Sequence, residues 1–209
     1  METVIIKDDD LSYAVDVLLR GGLVGVPTDT IYGLAGNGLD ASAVAKIYEI
    51  KGRPAVKPII LLIPDISAAE EFCAEIPETA RKLAEAFWPG ALTLVLRRGG
   101  NVPDIVTAGG DTIGVRCPDH PKTLELLRLA GIPAAAPSAN ISDMPSPKNV
   151  AEVLAYFDGK IECVIDGGQC TLGVESTIVD LSAGPYKILR SGALPEEEIA
   201  RVLGNGRKQ

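Results

Sequence analysis

The sequence predicts a single α/β domain with a twisted, mixed parallel and antiparallel sheet flanked by helices. Three observations predict it. Short apolar runs alternate with amphipathic segments of helical period along the whole chain. Several consecutive strand candidates are joined by connections too short for a helical crossover, so some pairs must be antiparallel. Finally, the 209 residues, 46% of them hydrophobic, show no repeat, linker or composition break, and suffice for one well-buried core.

The elements follow in order. Thr3–Ile6 reads as a strand. Leu11–Arg20 reads as a helix with Leu11, Val15, Leu18 and Leu19 on one face and Gly21-Gly22 as its stop. Leu23–Val26 is a strand ended by Pro27, and the polar, glycine-rich stretch Thr28–Asp40 reads as a loop. Ala41–Ile50 is a helix that ends at Lys51-Gly52 before Pro54. Ile59–Ile63 is a strand, and Ile66–Cys73 and Glu78–Phe87 are helices. Leu92–Leu96 and Ile113–Cys117 are strands, Pro121–Ala130 a helix closed by Gly131, and Pro133–Ala136 a short strand. Ser146 and Pro147 fit an N-cap and first-turn proline for a helix ending near Phe157. Cys163–Asp166, Thr177–Asp180 and Tyr186–Leu189 are strands, and Pro195–Leu203 is a last helix. The domain spans 1–209, with its core at about 5–203 and a frayed tail.

Composition excludes several function classes. The net charge of −8 lacks a broad basic footprint for nucleic acid. Aromatics make up 4%, too few to stack bases along a single strand. One histidine cannot build a multi-histidine metal site, and no metal ligands are expected. Four cysteines without a C-x-x-C pair read as reduced thiols of a cytoplasmic protein, mostly buried. No secretory signal is read at the N-terminus, and no run approaches the ~18 apolar residues of a membrane span.

Three irregular segments, each placed at the end of a predicted strand, carry small hydroxyl and amide groups: Pro27–Gly33, Pro137–Asn140 and Gly173–Thr177. Strand-end loops line the ligand crevice of open α/β sheets, although turn chemistry explains any one of them. Lys46, Lys51, Arg53 and Lys57 form a basic run in an acidic chain. The helix dipole accounts for Lys51; Arg53 and Lys57 lie beyond it, where a Lys-x-Arg pair suits an anion. Arg116 and Arg190 each close an apolar strand, either as snorkelling edge residues or as anion ligands at the sheet rim. His120, just before a helix, reads as structural. There is no P-loop, dinucleotide fingerprint or nucleophile elbow.

Six stretches in order resemble the YrdC/Sua5 family: PTDTIYGL (27–34), KGRPAVKPI (51–59), TIGVRCPDHP (112–121), APSANISDMPSP (136–147), GVESTIVD (173–180) and ILRSGAL (188–194). The length resembles the single-domain form. The resemblance implies a sheet with a large open cavity and an L-threonylcarbamoyladenylate synthase, a nucleotidyltransferase. Threonine, bicarbonate and Mg²⁺-bearing ATP would give threonylcarbamoyl-AMP and pyrophosphate. A separate transferase complex would use the product to form N6-threonylcarbamoyladenosine at position 37 of tRNAs that read ANN codons. The family's catalytic tetrad falls on Lys51, Arg53, Ser138 and Asn140, which would meet the ATP phosphates and the carbonate-derived group. Lys57, Thr112, Ser146 and Arg190 align with nucleotide contacts, and Thr30, Arg116 and Ser176 with threonine contacts. Arg116 would bind the substrate carboxylate, while Thr28 and Tyr32 would shape the wall. Two positions depart from the pattern. Leu62 stands where some members carry His, and Ala136 where some carry a hydroxyl. The loop 137–147 is the expected lid. Two other readings compete: a module that binds tRNA or double-stranded RNA weakly, and a carbamoyl-transfer domain like that of hydrogenase-maturation proteins.

Overall fold

A computed structural model describes residues 2–204; the tail expected to fray lies outside the described residues. Ten strands form one mixed sheet in the order β1-β8-β2-β3-β7-β4-β6-β5-β9-β10. They are β1 (Val4–Ile6), β2 (Val24–Val26), β3 (Gly33–Asn37), β4 (Leu61–Leu62), β5 (Leu92–Arg97), β6 (Thr112–Arg116), β7 (Ala134–Ala135), β8 (Cys163–Ile165), β9 (Thr177–Asp180) and β10 (Lys187–Arg190). Parallel pairs (β1/β8, β2/β8, β4/β6, β5/β9) mingle with antiparallel ones (β2/β3, β3/β7, β4/β7, β5/β6, β9/β10), as the short connections required.

Successive residues of a strand point to opposite faces, and the two hydrophobic clusters divide that way. Leu34, Leu61, Val115 and Val164 belong to one; Ala35, Leu62, Cys163 and Ile165 belong to the other. The first face is covered by α2 (Ala41–Lys51), α3 (Glu78–Phe87), α5 (Val150–Phe157) and α6 (Glu196–Val202), through Ile47, Leu83, Phe157 and Ile199. The second face packs on α1 (Ser12–Leu19) and α4 (Pro121–Ala130), through Leu18 and Leu127. This second cluster takes no residue from β5, β6, β9 or β10. That half of the face is therefore free for a site. All four cysteines are buried and unpaired. Among the described residues no helix is long and apolar enough to cross a membrane.

Four expectations need correction. Residues 33–37 are strand β3, not loop. Their glycines weaken strand propensity, yet the backbone must pass close to its neighbours. A Cβ on Gly36 would sit 3.0 Å from Leu23 and 3.2 Å from Ile47. Secondly, α5 starts at Val150, not after Ser146. Asn149 is its N-cap, accepting from Glu152 N (3.0 Å), while Glu152 Oε2 accepts from Lys148 N (2.8 Å). Thirdly, the helix read at 66–73 is a 3₁₀ turn, Ser67–Glu71. Lastly, the third hydroxyl-rich segment leads into β9 rather than out of a strand.

Candidate active site

A cavity of about 220 Å³ opens on the second face, where the half formed by β5, β6, β9 and β10 meets Leu62 and Ala136 of the second cluster. Thr28, Thr30, Tyr32, Arg53, Arg116, Ser138, Ser176 and Arg190 line it, together with Leu62, Ala136 and Glu175. The segment 28–33 bridges β2 and β3 and turns on Thr28. Its Oγ1 accepts from Thr30 N (3.1 Å) and Ile31 N (3.2 Å) and donates to Ile31 O (2.6 Å). A hydroxyl has one proton. The 2.9 Å bond between the two threonine hydroxyls must therefore be donated by Thr30. Tyr32 is fully buried. Its hydroxyl donates to Gly168 O (3.0 Å) and accepts from Gly167 N (3.0 Å), and burial pushes it up to about 12. It is a wall of the site and stays protonated.

Arg116, at the end of β6, is only 4% exposed. Its Nη2 donates to Asp29 Oδ1 (2.6 Å), its Nη1 to Thr30 Oγ1 (2.7 Å) and its Nε to Gly90 O (2.9 Å). Burial lowers the guanidinium's pKa and the Asp29 charge opposes that. Asp29 is the main partner that motif reading missed. The carboxylate on Arg116 comes from the PTDT segment itself, and two of the five guanidinium N–H groups remain for a ligand.

The tetrad splits in two. Arg53 and Ser138 line the cavity; Lys51 and Asn140 lie behind them. Lys51 is the last residue of α2, not part of the loop, and is 1% exposed. Its Nζ donates to the carbonyls of Ser138 and Asn140 (2.5 Å each) and lies 3.5 Å from Asn140 Oδ1. Burial, then the Arg53 charge, push its pKa down to about 7, while three oxygens favour the ammonium. Asn140 Nδ2 donates to Ile141 O (2.9 Å) and Met144 O (2.6 Å). Arg53 curls onto Lys57 O (3.0 Å) and Pro58 O (2.7 Å), and among the described residues it pairs with no carboxylate. Gly52, left-handed at φ 58°, lets the chain turn from α2 towards Arg53.

The remaining predicted residues lie on the wall of this centre or farther out. Lys57 Nζ meets Asp143 Oδ1 at 3.3 Å, an exposed pair joining the 51–59 and 137–147 loops. Ser176 Oγ bonds Thr93 Oγ1 (2.8 Å) and accepts from Arg190 Nη2 (3.2 Å). Thr112 shares the face of Arg116 but sits four residues back along β6, about 13 Å away, and does not line the cavity. Ser146 does not line the cavity but donates from Oγ to Glu175 Oε1, which does (3.1 Å). His120 does not line the cavity. Its Nδ1 is buried without a partner, and burial lowers its pKa. The 137–147 loop, expected to be a lid, is tied down by Lys51, by Ala139 N donating to Tyr32 O (2.8 Å) and by Tyr32 N donating to Pro147 O (2.8 Å).

A family model of Sua5, YciO and YrdC proteins, described as "Telomere recombination", matches residues 16–192. The chain belongs to the Sua5/YciO/YrdC family. A threonylcarbamoyl-AMP synthase of Pyrococcus abyssi is 49% identical over 95% of this chain. One of Bacillus subtilis is 43% identical over 95%. This chain spans 58% of the length of each. The solved structure of P. abyssi Sua5 complexed with L-threonine superposes with a TM-score of 0.94 at 46% identity, covering 98% of this chain and 61% of that one. Leu62 and Ala136, the two positions expected to differ from other members, both fall on the cavity wall.

Proposed function

We propose that this chain condenses L-threonine, bicarbonate and ATP into threonylcarbamoyl-AMP and pyrophosphate. The observation that carries the reading is the convergence of Arg53, Arg116 and Arg190 with the hydroxyls of Thr30, Ser138 and Ser176 on one cavity. Relatives named threonylcarbamoyl-AMP synthase and the threonine complex of the P. abyssi protein support it. The threonine amine and bicarbonate form a carbamate with loss of water. A carbamate oxygen attacks the α-phosphorus, and the bond to the β-phosphate oxygen breaks, releasing pyrophosphate. The substrate supplies the nucleophile, so the protein's task is alignment and charge stabilisation.

Arg116 offers its two free N–H groups to the threonine carboxylate, with Thr30 and Ser176 beside it. Arg53, Ser138 and Arg190 face the phosphates, Lys57 and Ser146 lie at the rim, and Thr112 extends the same face for the nucleoside. Lys51 and Asn140 hold Ser138 in place. Mg²⁺ arrives with ATP as part of the substrate, on phosphate oxygens and water. The product is an activated carbamoyl donor for a transferase complex that forms N6-threonylcarbamoyladenosine in tRNA, in the cytoplasm.

Calorimetric titration with Mg-ATP tests the site. Binding should tighten when threonine and bicarbonate are present, and should change little with salt. Tight tRNA binding that weakens steeply with salt, without nucleotide binding, would replace this reading with the RNA-binding one.

A further inference from the structure

Arg190, on the cavity wall, and Ser146, next to it but not lining it, are held by one carboxylate of this chain, Glu175. Glu175 Oε1 accepts from Ser146 Oγ (3.1 Å), and Glu175 Oε2 lies 3.5 Å from Arg190 Nη1. Arg190 is fixed on its other side by Ser176, with Nε donating to the carbonyl (3.0 Å) and Nη2 to the hydroxyl (3.2 Å). Its Nη1 therefore faces Glu175 and the cavity. To an arginine, a carboxylate and a phosphate both present negative charge and a pair of acceptor oxygens in matching geometry. We infer that Glu175 is an intramolecular stand-in for a phosphate group, competing with incoming phosphates for the receptor formed by Ser146 and Arg190.

The pair is built to open. Its side chains are 43% and 40% exposed, and pairs so exposed shift an equilibrium by a factor of only about 1.4 to 5. A ligand reaching Ser146 and Arg190 alone gains little over the resident carboxylate. A polyphosphate that also engages Arg53 gains a cation with no carboxylate to displace. Glu175 thereby places the same penalty on every phosphate that takes its place at Arg190, and a polyphosphate offsets that penalty through Arg53. This inference rests on the nucleotide reading of the cavity.

Calorimetry of wild type, Glu175→Gln and Glu198→Gln tests it, with pyrophosphate and Mg-ATP as separate probes. Gln keeps the size of the side chain, and the Glu175 carbonyl still accepts from Ala193 N. Glu198, paired with Arg201 on α6, controls for the loss of one negative charge elsewhere. E175Q should bind both probes about three- to fivefold more tightly than wild type, and E198Q should match wild type. Equal or weaker binding by E175Q, or an equal gain in E198Q, overturns the inference. If ATP binds wild type and E175Q alike, the nucleotide reading stands and the stand-in role falls. If pyrophosphate tightens while neither protein binds ATP, the reverse holds.

Discussion

Replacing Asp29 by Ala should destabilise the protein by about 3 kcal/mol. Removing one partner of a buried ion pair costs about 3–5 kcal/mol, because the other charge stays buried without compensation. The Asp29–Arg116 pair is 2.6 Å long with side chains 8% and 5% exposed. Arg116 would keep two hydrogen bonds, to Gly90 O and Thr30 Oγ1, and it borders the cavity, so water can reach it. Both features place the loss at the low end of that range. Asp119 N would also lose its acceptor, at 3.1 Å. For a chain of 209 residues, 3 kcal/mol corresponds to a fall in melting temperature of about 6–12 °C. Urea unfolding of D29A, R116M and the double variant measures the coupling directly. The double variant should be more stable than the two single losses would sum to. A D29A loss under about 1 kcal/mol, or strict additivity, would refute the argument that this pair holds Arg116 in place.

Other outcomes follow from single contacts. Lys51, depressed to about 7 from its ordinary 10.5, binds fewer protons in the folded than in the unfolded chain between those values. Stability should therefore rise with pH across that window, by up to about 1.4 kcal/mol per pH unit, in wild type and not in Lys51→Met. A constant difference between the two proteins contradicts the burial argument. Gly192→Ala should cost about 1–3 kcal/mol or more, since its Cβ would fall within 2.5 Å of the Ser176 carbonyl. Native-like stability in a denaturant series would show that this approach can relax. Leu62→His places an imidazole on the cavity wall and should lower the KM for threonine about two- to tenfold, the value of one hydrogen bond. Steady-state kinetics at varied threonine would show no change if the side chain points away from the amino acid.

Much of the fold was legible because periodicity reports burial. The helices at 12–19, 41–51, 78–87 and 121–130 and most strands stand where their apolar spacing placed them. Strand β3 was hidden because Gly33 and Gly36 serve close packing, which only the neighbours Leu23, Ile47 and Val26 reveal. The motifs nominated Arg53, Arg116, Ser138, Ser176 and Arg190, and the fold brings them to one cavity. Their partners were not legible. Asp29 pairs with a residue 87 positions away and Lys51 reaches carbonyls 87 and 89 positions away, and no local pattern encodes such contacts. A signal did exist for Asp29 and Glu175: each lies within a quoted motif, Asp29 between Thr28 and Thr30 and Glu175 just before Ser176, and a carboxylate beside hydroxyls invites a cation.

On the proposed function, the cavity joins an amino acid to a nucleotide through a carbamate. Pyrophosphate release by the purified chain, with Mg-ATP and bicarbonate and with or without threonine, tests it most directly. Release should depend on both threonine and bicarbonate and be largely lost in Arg53→Ala. Full release without threonine would contradict it.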